Sequence, residues 1–336
     1  MKASFLLLIV IFLQLTPGFS NESLKDSLEV EKIWDKAPHN AFPDMIRFKG
    51  SFYIALREGN NHMPDKSGSI RILKSKNGED WQSVTLLEED DRDVREARLS
   101  ITPEGRIMVL TAVGVYEGGY KILYPMVSFS DTKGENFSSL QKATMDMEPS
   151  LDWIWSLTWH KDVGYGIVYQ NKVGGWEVHL LKTTDGINFK HVSQLPIDGN
   201  PNESTIRFDK EGKMYVLVRR EAGDKMGVLA KSDAPYKHWT TKKLTKQLGG
   251  PNFLFLDKNT LVLGTRDYRK TGAKTVIHMT DLEGNINKTM DLPSAGDTSY
   301  PGMVIYKKKL WFVYYSSHEE KTSIYLTKIP LKELNQ

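Results

Sequence analysis

The sequence predicts an all-β fold, a six-bladed β-propeller. Three observations carry this. A turn motif recurs about every fifty residues, a spacing that marks a stacked or radial array. Four strand-like runs surround each copy. The last unit lacks one strand, and a lone strand stands at the other end of the chain. The copies are Ser75-Lys-Asn-Gly-Glu-Asp-Trp81, Ser130-Asp-Thr-Lys-Gly-Glu-Asn-Phe137, Thr183-Thr-Asp-Gly-Ile-Asn-Phe189, Ser232-Asp-Ala-Pro-Tyr-Lys-His-Trp239 and the weaker Thr280-Asp-Leu-Glu-Gly284. Asp or Asn with Gly supplies the tight reversal of a hairpin. The Ser or Thr hydroxyl bonds the turn backbone, and the closing Trp or Phe folds back over the strands. These boxes are hairpin locks rather than ligand loops.

The strands follow from runs of Val, Ile, Leu and aromatic residues between turn signals. Unit one spans 41–48, 51–57, 69–74 and 83–87. Unit two spans 97–102, 106–113, 124–129 and 140–144. Unit three spans 153–159, 164–169, 177–182 and 191–194. Unit four spans 204–208, 213–219, 227–231 and 240–244, and unit five 252–256, 260–265, 275–279 and 288–292. The sixth has only 303–306, 309–315 and 322–329, and 27–34 supplies its fourth strand. Joining both chain ends in one blade closes the ring and leaves no open edge. The competing count is five blades, with the N-terminal strand packed elsewhere.

Residues 1–20 read as a secretory signal: Lys2, an apolar run from Phe5 to Leu15, then small residues at Gly18 and Ser20. The run is shorter than the roughly 20 residues of a spanning helix. Residues 21–336 are then one propeller domain, secreted or periplasmic, with no further membrane span. The absence of cysteine excludes disulfides, a thiol nucleophile and zinc-thiolate sites. With 45 basic and 42 acidic residues the net charge is +3, which gives no nucleic-acid signature. The histidines show no metal-ligand spacing, and no metal or cofactor is expected.

In an up-and-down blade, the start of the first strand, the end of the second and the loop after it share one rim. Asn40, Asp44, Arg95, Trp153, Trp155, Glu203, Asn252 and Tyr300 open first strands. Arg57, Arg219, Arg220, Arg266, Asp267 and His318 close second strands, and His62 and Asp65 follow Arg57. Polar and aromatic side chains from different blades therefore converge on one end of the channel. Arg220 is expected to face outward. Trp153, Trp155 and Trp159 alternate and so share a face, as core or as a sugar-stacking platform.

The boxes, with Glu203, Arg219, Arg266 and Tyr300 in that order, resemble the sialidase superfamily. The matching segments are Asn202-Glu203-Ser-Thr-Ile-Arg-Phe, Leu217-Val-Arg219, Leu263-Gly-Thr-Arg266 and Thr298-Ser-Tyr300-Pro-Gly-Met-Val, and the likeness covers essentially the whole mature chain. It implies a retaining exo-glycosidase that removes a terminal sialic-acid-like sugar from a glycan or sialoglycoconjugate. Tyr300 would be the nucleophile and Glu203 its base. Arg219 and Arg266 would bind the substrate carboxylate, and Asp65 would be the general acid, with His62 its rival in the same loop. A tyrosine suits a sugar whose anomeric carbon carries a carboxylate, because a carboxylate nucleophile would be repelled.

The chain departs from the family at one point. Where sialidases carry an Arg-Ile-Pro-like motif, this sequence has His39-Asn-Ala41-Phe42-Pro43, so Ala41 stands in place of the first carboxylate-binding arginine. Arg57 or Arg95 is the candidate replacement, with Asn40, Asp44, His62 and Trp155 as further substrate contacts. The segment Asp93-Val-Arg95-Glu96 also resembles an Arg-Asp-Pro motif of five-bladed glycosidases. Two alternatives follow: a non-catalytic glycan-binding propeller, or a glycosidase for a neutral sugar using carboxylates such as Asp44, Asp65 and Glu203.

Overall fold

Each unit folds as an antiparallel meander, and the computed structural model describes residues 28–63, 66–117 and 119–334. The leader 1–20 and Asp65 lie outside the described residues. β1 (Val30–Trp34) comes first. Blade 1 is β2 (His39–Phe48), β3 (Ser51–Gly59), β4 (Ser69–Ser75) and β5 (Gln82–Leu87). Blade 2 is β6 (Asp93–Ile101), β7 (Ile107–Tyr116), β8 (Tyr120–Phe129) and β9 (Gln141–Lys142). The short β10 (Thr144–Met145) precedes blade 3, made of β11 (Asp152–His160), β12 (Val163–Lys172), β13 (Gly175–Thr183) and β14 (Asn188–Gln194). Blade 4 is β15 (Pro201–Phe208), β16 (Met214–Arg220), β17 (Met226–Ser232) and β18 (Thr240–Gln247). Blade 5 is β19 (Asn252–Phe255), β20 (Thr260–Arg269), β21 (Gly272–Asp281) and β22 (Ile286–Asp291). Blade 6 is β23 (Thr298–Tyr306), β24 (Lys309–Ser316) and β25 (Ser323–Pro330), ending in α1 (Leu331–Leu334).

The expected closure is present, and the count is six. β1 pairs antiparallel with β25, Val30 opposite Thr327 and Trp34 opposite Ile324. The innermost strands β2, β6, β11, β15, β19 and β23 pack side by side in a closed circle. Strand alternation serves two interfaces at once. In β7, Ile107 and Val109 pack with Tyr53 and Ile72 of blade 1. The intervening Met108 and Leu110 pack with Ile154 and Phe189 of blade 3.

The boxes lie between the third and fourth strands, on the rim opposite Glu203, Arg219, Arg266 and Tyr300. In the third box, Asp185 Oδ1 accepts from the backbone N–H of Ile187 and Asn188, each at 2.8 Å, and Gly186 N donates to Thr183 Oγ1 at 2.9 Å. The box glycines also fix blade to blade. A Cβ on Gly78 would fall 2.1 Å from Trp311 of blade 6, one on Gly134 2.6 Å from the Tyr53 hydroxyl of blade 1, and one on Gly186 3.0 Å from Met108 of blade 2. These three have φ of 79°, 73° and 75°, a region that favours glycine. The fourth box has no glycine. Tyr236 takes the left-handed position (φ 62°), and its ring meets Tyr165 of blade 3 at 5.2 Å.

Two features differ from the sequence reading. The expected strand 140–144 is split. β9 stays on blade 2, whereas β10 crosses over and pairs parallel with β14 of blade 3, Thr144 opposite Asn188. Five of the six inner strands, all but β19, also begin earlier than their apolar alternation suggests. β-Bulges interrupt β2 between Ala41 and Asp44, β6 between Arg95 and Arg98, β11 between Ile154 and Ser156, β15 between Pro201 and Ser204, and β23 between Ser299 and Gly302. A bulge adds one residue on one strand and switches the face of everything beyond it. Trp153 and Trp155 therefore enter the central cluster while Trp159 packs with Ile154 and Leu157, so the three tryptophans do not share one face.

Replacing Asp185 by Ala leaves the amides of Ile187 and Asn188 without their acceptor. Unfolding in denaturant should show a loss of about 1–3 kcal/mol, with ligand binding at the opposite rim unchanged.

Candidate active site

The bulges aim side chains at the channel. Phe42, Glu96 and Tyr300 hold equivalent bulge positions in β2, β6 and β23 with φ of 53°, 52° and 51°. Trp155 and Glu203 occupy the bulges of β11 and β15. The Tyr300 hydroxyl donates to Glu203 Oε1 at 2.6 Å. Arg219 Nη1, from the end of β16, donates to that same oxygen at 2.7 Å and to the Tyr300 hydroxyl at 2.9 Å. The second oxygen, Glu203 Oε2, accepts from Gly250 N at 2.7 Å. The Tyr300 ring lies on Gly250, where a Cβ would fall 2.3 Å from Cγ of the ring. Phe42, Trp155 and Tyr315 surround that ring at 5.0, 5.8 and 6.0 Å between centroids, and the Arg266 guanidinium stands 5.4 Å from it.

These contacts set the charge states. Burial raises the Glu203 pKa, but the charge and hydrogen bond of Arg219, with the hydrogen bonds of Tyr300 and Gly250, outweigh it and hold the carboxyl below its ordinary range. Burial, then the neighbouring Glu203 charge, drives the Tyr300 phenol well above its ordinary range, against the pull of Arg219. Glu96 goes the other way from Glu203. Burial is the main cause, opposed by Arg95 and reinforced by the charge of Glu203, and its carboxyl is raised.

Beside this pair lies a second cluster. Arg266 donates from Nε to the Thr298 carbonyl at 2.8 Å and from Nη2 to the Tyr315 hydroxyl at 2.9 Å. Asp297 Oδ1 accepts from Tyr315 at 2.7 Å, and Oδ2 meets His62 Nδ1 at 2.6 Å and His39 Nε2 at 3.0 Å. Burial raises the Asp297 pKa, but the hydrogen bonds of the two histidines outweigh it and hold the carboxyl well below its ordinary range. Burial lowers the pKa of His39, against the pull of Asp297, and favours its neutral form. Among the described residues, His39, His62 and Asp297 place three ligand atoms within 4.8 Å of one another, a donor set that divalent metals accept. Here the three hold one another by hydrogen bonds.

The residues singled out from the sequence separate into groups. Glu203, Tyr300, Arg219, Arg266 and Trp155 come together, and His62 adjoins them through Phe42, 5.1 Å away. Arg57 is fully buried. Its Nε and Nη2 donate to Asp93 Oδ1 at 2.9 and 2.8 Å, and Nη1 to the Asn61 carbonyl at 2.8 Å. Arg95 donates to Asp93 Oδ2 at 2.9 Å and to the His62 carbonyl at 3.0 Å. The expectation that either replaces the missing arginine is corrected on this ground: Asp93 binds both guanidinium groups beneath the rim, and Phe42 occupies the space beside Tyr300. Asn40 is also structural. It donates to the Ala37 and Thr322 carbonyls and ties blade 1 to blade 6. Asp44 sits deeper in the channel, accepts from Leu99 N at 2.8 Å and faces the charges of Arg98 and Arg207. Arg220 is buried rather than outward-facing, paired with Asp198 and Asp224.

Sequence reasoning did not single out Phe42, Asp297 or His39, and noted Glu96 only within a motif. Their roles depend on bulges and on the loop before β23, which leave no periodic signal. The recoverable signal was the pair Phe42-Pro43 and Tyr300-Pro301, an aromatic before proline at the same place in two blades.

No protein-family model and no curated protein sequence matches the chain. Solved structures share its fold. A Dyadobacter fermentans protein of unknown function is 18% identical over 89% of this chain and 97% of that one, with a TM-score of 0.77. An α-L-arabinofuranosidase from Fusarium graminearum is 14% identical over 91% and 99%, TM-score 0.69. The sialidase of Trypanosoma rangeli is 11% identical over 89% of this chain, TM-score 0.66, and this chain spans 56% of its length. At these identities the likeness establishes the six-bladed fold. No helix among the described residues is long and apolar enough to cross a membrane.

Substituting Arg57 by Met would take the buried Arg57 guanidinium away from Asp93. Denaturant unfolding should show a loss of about 3–5 kcal/mol, as for other broken buried ion pairs, whereas the partly exposed His62→Ala should cost much less.

Proposed function

We propose that this protein is a glycoside hydrolase that removes a terminal acidic, sialic-acid-like sugar from glycans by a double displacement. The observation that carries the reading is the Tyr300–Glu203 hydrogen bond of 2.6 Å, with Arg219 Nη1 donating to both oxygens. The phenol keeps its proton in the resting site. As its oxygen bonds to the anomeric carbon, the bond from that carbon to the glycosidic oxygen breaks, the aglycone leaves with a proton from a general acid, and the phenol proton passes to Glu203, whose ionised state is held ready by Arg219 and the Gly250 amide. A neutral nucleophile approaches a carboxylate-bearing carbon without charge repulsion. Arg219 and Arg266 flank the tyrosine and offer planar donor forks for that carboxylate. Water then gives a proton to the conjugate base of that acid, its oxygen bonds to the anomeric carbon and displaces Tyr300, Tyr300 recovers its proton from Glu203, and the sugar leaves with its original anomeric configuration.

A second reading has its own support. Phe42 fills the position beside Tyr300 where a third arginine would reach, and Arg219 also pairs with Glu221. A two-arginine, aromatic-walled site fits a neutral sugar cleaved by carboxylates, with Tyr300 as a wall.

Hydrolysis of fluorogenic glycosides separates the two. Release from a sialoside should fall at least about a thousandfold in Tyr300→Phe and about a hundredfold or more in Glu203→Ala. Release only from neutral glycosides, with Tyr300→Phe nearly as active as wild type, favours the second reading. Binding without hydrolysis of any glycan would mark a non-catalytic propeller.

A further inference from the structure

Glu96 has no place in the scheme above, and its surroundings ask for one. It projects from the bulge of β6 at the position that Tyr300 holds in β23. It is 6% exposed, as is Glu203, and Tyr300 is 5% exposed. Its Oε1 meets Arg95 Nη2 at 3.5 Å, a long contact, and its Oε2 is buried with no hydrogen-bond partner among the described residues. An ionised carboxylate in that state carries an uncompensated desolvation cost, whereas the acid form carries much less. The charged groups acting on it come from several directions: Arg95 and Arg98 on its own strand, Glu203 from blade 4 and His62 from the loop of blade 1. Its own charge acts in turn on Tyr300 of blade 6. The carboxyl is thus within electrostatic reach of both Glu203 and Tyr300.

We propose that Glu96 is the general acid–base of this site. The inference rests on the glycosidase reading and names the acid which that reading leaves unassigned. In the first step the Glu96 O–H gives its proton to the glycosidic oxygen. The bond from that oxygen to the anomeric carbon breaks and the aglycone leaves as an alcohol, while the Tyr300 oxygen bonds to the same carbon and its proton goes to Glu203. In the second step the Glu96 carboxylate takes a proton from water, whose oxygen displaces Tyr300. Glu96 ends protonated, as it began. Two carboxyls whose surroundings drive their pKa values apart divide into one acid and one base. Here Glu203 is bound to two N–H donors and a phenol, and Glu96 is starved of donors.

The test is Glu96→Gln, which keeps size and backbone preference, beside Asp65→Asn. Each is assayed on two glycosides of the sugar that wild type cleaves best, one with a dinitrophenyl and one with a simple alkyl or sugar leaving group. Glu96→Gln should lower kcat/KM about a hundredfold or more on the poor leaving group and less than about tenfold for the dinitrophenyl glycoside, which departs unprotonated. The basic limb of the pH profile for the poor leaving group should disappear. Equal loss on both substrates, or the leaving-group pattern appearing in Asp65→Asn instead, overturns the proposal. A second readout needs no turnover. Infrared spectra of the wild type near pH 6 should contain a protonated carboxyl band that Glu96→Gln removes, and a spectrum in which the substitution removes no such band also overturns it. Wild-type inactivity on every glycoside would instead refute the glycosidase reading, and the infrared result would still decide whether Glu96 is held as the acid.

Discussion

Backbone pairing of β1 with β25 is the constraint on which the rest of the structure depends. Strand packing runs from each blade to its neighbours, and the side chains that cross the channel meet only once the circuit closes. The pairing joins residues near both ends of the described chain within one sheet, and Asn40 adds side-chain bonds from blade 1 to the turn before β25. With the circuit shut, six inner strands lie close enough for side chains of blade 4 and blade 6 to share a proton at 2.6 Å. A ring of five, or one left open, would place Glu203 and Tyr300 on surfaces that do not meet.

The second layer of control is electrostatic and works through unequal hydrogen bonding. Arginine is abundant at the inner rim, yet its members do different things. Arg57 and Arg95 are consumed by Asp93, and that buried network stiffens the wall behind Phe42 and His62. Arg219 faces the channel and keeps Glu203 ionised, and Arg266 braces Tyr315 and Asp297. The carboxyls differ for the same reason. Donors surround Glu203 and Asp297, and burial with few donors isolates Glu96 and Asp44. A small set of residue types thus yields carboxyls held below and above their ordinary range, beside cations, within one channel.

The repeat was legible because box turns depend on local chemistry. The hydroxyl of Thr183 and the carboxylate of Asp185 bond amides a few residues away, so the sequence displays the motif whole. Glu203, Arg219, Arg266 and Tyr300 were legible through their order along the chain. What failed was inference from rim position alone. Arg57 and Arg219 both close second strands, and nothing local says that one meets a buried aspartate and the other a tyrosine. The tryptophans of β11 failed through register, because a bulge at Trp155 reverses the face of every later residue.

The sequence by itself determined the all-β architecture, the repeat, the candidate donated strand that makes six blades rather than five, and the four residues at the heart of the candidate site. Each of these rests on patterns that short-range turn chemistry and strand alternation impress on neighbouring positions. The pairing of β1 with β25 decided the count. Only the tertiary structure decided which arginines Asp93 binds, that Phe42 packs against Tyr300, that Asp297 gathers two histidines, and that the charge of Glu203 acts on Glu96. Those outcomes depend on contacts between blades far apart in the chain and on single-residue bulges that aim a side chain across the channel, and a bulge changes direction without changing composition.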